Sequence, residues 1–194
     1  MNRKISNKKE RFGFTLIELV VSIGIIMMVT VLFISNYKSS NKRTDLVMTA
    51  QEMVSDLHAA QNNALGLVKY NNIVPAGGWG ISFDTTKNYY TLFADLNAPA
   101  MLGYMDYDSS SEGNVNYGAR VTNLSSNVAI ASLKIGNSYV AKANVTFLPP
   151  DPVTNIYSDG ATSTVIEIQL KDLNNPNSIK TVRVNFLGLA EVID

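Results

Sequence analysis

Hydrophobic and polar positions change their rhythm three times along the chain. A polar, basic start gives way at Phe14 to an apolar run reaching Ile34, FTLIELVVSIGIIMMVTVLFI, whose only charge is Glu18. About 21 residues at 1.5 Å each make roughly 31 Å of helix, enough to cross the hydrocarbon of a bilayer. After Ser35 the polar residues Asn36, Tyr37, Lys38, Asn41, Lys42 and Arg43 mark emergence into a headgroup or aqueous environment. Apolar positions then recur at threes and fours: Leu46, Val47, Ala50, Met53, Val54, Leu57, Ala60, Ala64, Leu65 and Val68. That is the stripe of an amphipathic helix. No proline stands between Phe14 and Val74, so the pattern predicts one long helix, lipid-embedded in its first half and packed on a following sheet in its second.

Beyond residue 70 the rhythm shortens to two. β-branched and aromatic runs separated by turn formers predict strands at Trp79 to Phe83, Tyr89 to Phe93, Val128 to Leu133, Val145 to Phe147, Thr164 to Leu170 and Thr181 to Phe186. The last two alternate cleanly across Asn174-Asn175-Pro176-Asn177, the pattern of a hairpin with one buried face. Gly188 turns the chain into a possible last short strand. A helical spine against antiparallel sheet makes the fold class α+β.

Composition sharpens this picture mostly by exclusion. With 194 residues the chain has room for one ordinary domain plus an appendage. At 46% apolar and 16% charged residues it is not a disordered polyelectrolyte. A formal charge of +0 provides no general attraction to phosphate, so nucleic acid is not expected as the main ligand. Cysteine is absent, which removes disulfides, thiolate metal sites and cysteine nucleophiles. The charge is unevenly placed: before Gly13, five bases (Arg3, Lys4, Lys8, Lys9, Arg11) stand against Glu10, leaving about +4 there and about −4 in the remainder. Basic residues ahead of an apolar span are retained in the cytoplasm, which puts the later chain outside. The apolar run is longer than the 7 to 15 residues of a secretory signal and lacks a small-residue cleavage site at its end. Hydropathy alone leaves an uncleaved anchor and a processed segment both open.

The junction itself reads Gly13-Phe14-Thr15-Leu16-Ile17-Glu18. It resembles, without departure over these six residues, the processing site of type IV prepilins and type II secretion pseudopilins. The resemblance implies that a membrane prepilin peptidase cuts between Gly13 and Phe14 on the cytoplasmic side and methylates the new terminus at Phe14. It further implies that Phe14, Thr15 and Glu18 serve assembly with other pilin or pseudopilin subunits through an inner-membrane assembly platform. The corresponding organisation is a leader at 1–13 that is removed, a transmembrane and assembly helix at 14–35, its amphipathic continuation at 36–70, and an exported β-rich domain at 71–194. Localisation follows: the bacterial inner membrane, spanning the lipid bilayer once, then a filament.

Glu18 poses its own question. A carboxylate in an apolar helix costs roughly 2.5 to 3.5 kcal/mol at the centre of a span and less near an interface. Cleavage would create a partner, because the ammonium of Phe14 could pair with Glu18 of an adjacent copy and set the register of a helical bundle. The alternative is a local role, in which Glu18 stabilises the helix start through the macrodipole. Gly24 permits close helix approach within lipid. Shorter stretches, Trp79-Gly80-Ile81-Ser82-Phe83, Tyr90-Thr91-Leu92-Phe93 and Phe186-Leu187-Gly188-Leu189, resemble the first hairpin and final strand of H-type minor pseudopilins and related tip pilins. The segment 97–159 carries no such likeness.

Candidate chemistry is sparse. Asp106, Asp108 and Glu112, with Asp95 upstream, offer oxygen ligands for calcium, which some related pilins bind. Ser111 and Tyr117 stand where an EF-hand needs glycine and glutamate, so calcium is a weak expectation and a solvated turn the stronger one. His58 is the only histidine and has no acids at ligand spacing, which suits a structural role. GxSxG, HExxH, Walker and dinucleotide fingerprints are all missing. Pro149-Pro150-Asp151-Pro152 reads as an extended loop. The reading is therefore a structural filament subunit, minor or tip, without cofactor and without catalysis. Two rivals are a permanently anchored extracellular binding or adhesion module, which would retain residues 1–13, and an anchored hydrolase with a carboxylate pair.

Overall fold

A computed structural model describes residues 15–97, 104, 106–107, 120–149 and 153–193, with the side chains of 35–43 left undescribed. The fold class is α+β: helix α1 (Leu16–Leu65) is followed by eleven strands among the described residues. The chain divides between residues 40 and 41 into two units, and each is described by itself.

In the first unit the apolar stretch Leu16–Ile34 is helical throughout, 19 residues whose large apolar side chains are all exposed among the described residues. Its two central hydroxyls are satisfied locally, Ser22 Oγ donating to Glu18 O (2.7 Å) and Thr30 Oγ1 to Ile26 O (2.7 Å). Such back-bonding to the preceding turn lets polar side chains sit in an otherwise apolar helix.

In the second unit, α1 buries Leu46, Thr49, Ala50, Met53, Leu57, Ala60 and Ala64. The threes-and-fours spacing places these on one stripe, and the alanines allow the helix close to what it covers. Leu65 and Val68, expected on this stripe, are exposed. The reason is that α1 stops at Leu65, short of the expected 70. Val68 N–H donates to Asn63 O (2.9 Å) and Leu67 N–H to Ala64 O (3.1 Å), the paired bonds of a Schellman cap, with Leu67 at φ 50°. Trp79 Nε1 then donates to Val68 O (3.1 Å), tying the helix end to the first strand.

The strands are β1 (Gly78–Asp84), β2 (Tyr89–Asp95), β3 (Arg120–Asn123), β4 (Val128–Ile135), β5 (Ser138–Val140), β6 (Lys142–Leu148), β7 (Val153–Ser158), β8 (Ala161–Ser163), β9 (Val165–Asp172), β10 (Ile179–Asn185) and β11 (Ala190–Ile193). They form two antiparallel sheets, ordered β3-β2-β1-β6-β7-β8 and β11-β10-β9-β4-β5. The chain builds half of the first sheet, starts the second, returns for β6 to β8 and finishes in the second. All six expected strands are present, and the expected hairpin is β9 with β10, Val182 facing Ile168. The strands not anticipated are β3, β5, β7 and β8, three of which have only three or four residues.

Turn chemistry matches the residues supplied. Asp159 and Gly160 (φ 44° and 85°) join β7 to β8 in the two-residue geometry that Asp-Gly favours. In β4 the pairing with β9 shifts between Ile130 and Ser132, and the buried positions change phase with it, from Val128 and Ile130 to Leu133 and Ile135. One extra residue thus keeps the apolar side chains inward on both sides of the bulge. A single apolar cluster joins the stripe of α1 to Ile81, Phe83, Val145 and Ile156 of the first sheet and to Leu133, Ile168 and Val182 of the second.

Candidate functional site

The helix start is built by Thr15 and Glu18. Glu18 N–H is met by Thr15 O at 3.1 Å and by Thr15 Oγ1 at 3.4 Å, which makes Thr15 the N-cap and Glu18 the third helical residue. Thr-x-x-Glu is the spacing of a capping box, and an acidic side chain in the first turn faces the positive end of the helix dipole. Both side chains are exposed. Thr15, expected to serve assembly, caps the helix here, and that capping is legible in the same four letters. Gly13 and Phe14 lie outside the described residues. At Gly24 a Cβ would meet nothing within 4 Å, so this face of the span is open to close approach.

Residues 8–34 match a family model, the prokaryotic N-terminal methylation motif. The chain carries the type IV prepilin and pseudopilin signature. Its apolar helix near the N-terminus, Leu16–Ile34, has the length and composition to cross a membrane, and together with the prepilin motif it is consistent with inner-membrane anchoring. The motif points to a structural protein that interacts with other pilin subunits. No match was found among curated proteins or among solved structures.

The calcium candidates are not gathered into one place among the described residues. Asp95 is buried at the end of β2, and its Oδ1 accepts the N–H of Asn97 (2.8 Å). Asp106 accepts a hydrogen bond from Asn144 Nδ2 of β6. Asp108 and Glu112 lie outside the described residues, and among those described no group of three His, Asp or Glu could hold a metal ion. His58 is half-buried on α1.

One polar cluster that the sequence reading missed joins α1 to the first sheet. Asp56 Oδ2 accepts from Tyr90 Oη (2.9 Å) and Thr122 Oγ1 (3.2 Å), and Oδ1 accepts from the guanidinium of Arg120. Burial first, then the adjacent Asp56 charge, holds the Tyr90 phenol well above its ordinary range. Tyr90 is itself a core residue, its ring 5.9 Å from that of Phe83. No periodicity announces this cluster, because the residues that meet Asp56 lie 34 to 66 residues from it in the chain.

Proposed function

We propose that this chain is a minor or tip subunit, of the H type, of a type IV pilus or a type II secretion pseudopilus. The observation that carries the reading is the methylation motif running directly into a helical stretch, Leu16–Ile34, whose apolar side chains are exposed among the described residues. In this reading prepilin peptidase cuts between Gly13 and Phe14, the Phe14 amine is methylated, and the apolar helix leaves the lipid bilayer for a bundle of other subunits through an inner-membrane assembly platform. The β-rich part faces the exterior. The chain is a substrate of that machinery and not an enzyme.

Glu18 gains a physical role from the helix start. Cleavage leaves Phe14 immediately before the N-cap Thr15, so a new ammonium sits at the positive end of the helix dipole, where cations are disfavoured. A carboxylate one turn into a neighbouring copy offsets that repulsion and fixes the axial stagger of the two helices.

The test is mass spectrometry of the N-terminus of protein taken from its native membrane. A mature chain beginning at Phe14, with or without a methyl group, is expected; a retained leader in a host with active prepilin peptidase would overturn the reading in favour of a tethered module. Glu18→Gln should be processed normally yet fail to enter filaments, and normal assembly of that variant would remove its assembly role.

A further inference from the structure

The outer face of the first sheet, turned away from the core, is built of polar rungs. Antiparallel pairing sets Thr91, Ser82, Asn144 and Tyr157 side by side across β2, β1, β6 and β7. The next rung on that face is Phe93, Gly80, Thr146 and Asn155. Between them the inward rung is Leu92, Ile81, Val145 and Ile156, all apolar and buried. A solvated sheet face would be polar too, but this one is not solvated. Asn144 and Thr146 are 5% and 0% exposed, and three buried atoms, Asn144 Oδ1, Thr146 Oγ1 and Asn155 Nδ2, have no hydrogen-bond partner among the described residues. Buried polar atoms are nearly always paired, so three unpaired ones on adjoining rungs call for an explanation.

What covers the face also leaves room on it. Gly80 lacks the Cβ that would strike Thr146 and the Phe93 ring, so Phe93 lies across it, and Tyr107 packs on Phe93 with ring centroids 5.2 Å apart. Asp106 beside it bonds Asn144. Under this aromatic wall runs a groove of two adjoining lobes, about 220 and 140 Å³, which share Ser82, Tyr107 and Lys142. Tyr89 and Thr91 line the first lobe, and Asn144 and Asp159 the second. Both lobes fall below the ~300 Å³ at which drug-sized sites begin, so each suits one small ring.

We propose that this groove is a binding site for a neutral saccharide, about one sugar unit to each lobe. The chemistry selects the class. Lysines and aspartates alternate around the rim, Lys87 and Lys142 against Asp84, Asp106 and Asp159, so no single sign of charge dominates to hold an anion or a bare cation. Lys142 and Asp84 already face each other at 4.0 Å. Of the unpaired atoms, Asn144 Oδ1, an acceptor, belongs to a residue that lines the groove, and Ser82 and Lys142 add a hydroxyl and a donor beside it. Sugar hydroxyls donate and accept at once and match such a mixture, while tyrosine rings supply the apolar surface that the C–H faces of a sugar need. On the outer face of the second sheet Glu167 pairs with Arg183 (3.0 Å) and Lys134 (3.8 Å), although Arg183 Nε is also buried there without a partner among the described residues.

The experiment is an NMR titration of the isotope-labelled full chain in detergent micelles with free glucose, galactose, N-acetylglucosamine and its β1,4-linked disaccharide, each to about 50 mM. Saturable shifts of the amides of Ser82, Thr91 and Asn144, with Glu167 and Arg183 unmoved, are expected for at least one sugar. Asn144→Ala should weaken that binding on the order of tenfold, the worth of one buried hydrogen bond. Because Asn144 also supports Asp106, Tyr89→Ala at the rim is the companion variant; it should keep the melting temperature and weaken binding severalfold. Absence of saturable shifts with all four sugars overturns the proposal. So do shifts produced by calcium chloride alone, and sugar binding unchanged in Tyr89→Ala.

Discussion

Between Leu16 and Ile34 every large apolar side chain of α1 is exposed, by 43–83%, whereas from Leu46 to Ala64 the stripe of α1 is buried almost completely. The two stretches contain similar residue types and belong to one continuous helix. They differ in who supplies the burial. In the second stretch Leu57 and Met53 belong to an apolar cluster that includes residues of both sheets, so their transfer from water stabilises the fold of the chain itself. In the first stretch none of the described residues covers Ile26 or Leu32, which leaves their burial to whatever medium or partner surrounds the helix. Apolarity therefore tells a reader that a residue will be buried; periodicity tells whether its own chain will do it.

Substitution on each side of this divide gives the largest effect and the most direct way to break the comparison. Leu57→Ala should cost about 2–5 kcal/mol, read as a lowered melting temperature of the full chain in micelles by circular dichroism. Ile26→Ala, an equally apolar loss, should move the unfolding of the β-rich unit by less than about 0.5 kcal/mol. Equal effects from the two would mean that the apolar span folds as part of the globular core.

A second prediction concerns the polar attachment of the buried half. Tyr90→Phe keeps the ring against Phe83 but removes the O–H donor to Asp56, leaving Thr122 and Arg120 to satisfy that carboxylate. The expected cost is about 1–3 kcal/mol. It carries a pH signature. The phenol is raised in the folded state above its ordinary value of about 10, so above about pH 10 the unfolded chain releases this proton first and binds fewer protons than the native one. Stability from Tyr90 is thus complete below about pH 10 and declines as pH rises further. In Tyr90→Phe that part of the alkaline decline should vanish, which urea melts at pH 8 and about pH 10.5 would show. An unchanged alkaline slope would place the phenol in water.

Much of this architecture is legible in the sequence because it is written in repeats. The span, the amphipathic stripe and the β9–β10 hairpin each extend over enough residues for their periods to be recognised. The methylation motif is legible for a different reason, as a short run of consecutive letters. What escaped is short or distant. β5 and β8 have three residues each, too few for alternation to register, and the division into two sheets depends on β6 returning beside β1, which no local pattern encodes. The groove was hidden similarly: Ser82 and Asn144 become neighbours only through strand register, and their polarity reads locally as an ordinary outward face. Of the acids offered for calcium, Asp95 accepts a bond within a turn and Asp106 one from Asn144, a contact that no local pattern encodes.

The boundary of α1 offers the finest test of the same comparison, because the helix must stop where its sheet-covered stripe ends. Glycine is the usual residue in the left-handed position of a Schellman cap, yet here Gly66 falls one place early and Leu67 takes φ 50°. An L-residue with a side chain gives up about 1–2 kcal/mol in that conformation. Leu67 recovers little of it by packing, being 47% exposed. Leu67→Gly relieves the backbone but loosens the unfolded chain by about 0.5–1 kcal/mol, so the net gain should be about 0.5–1 kcal/mol in urea melts. Were the variant less stable than the parent, the exposed leucine would have to be making apolar contacts that outweigh its backbone strain, and the helix would be held at its end by packing instead of by its cap.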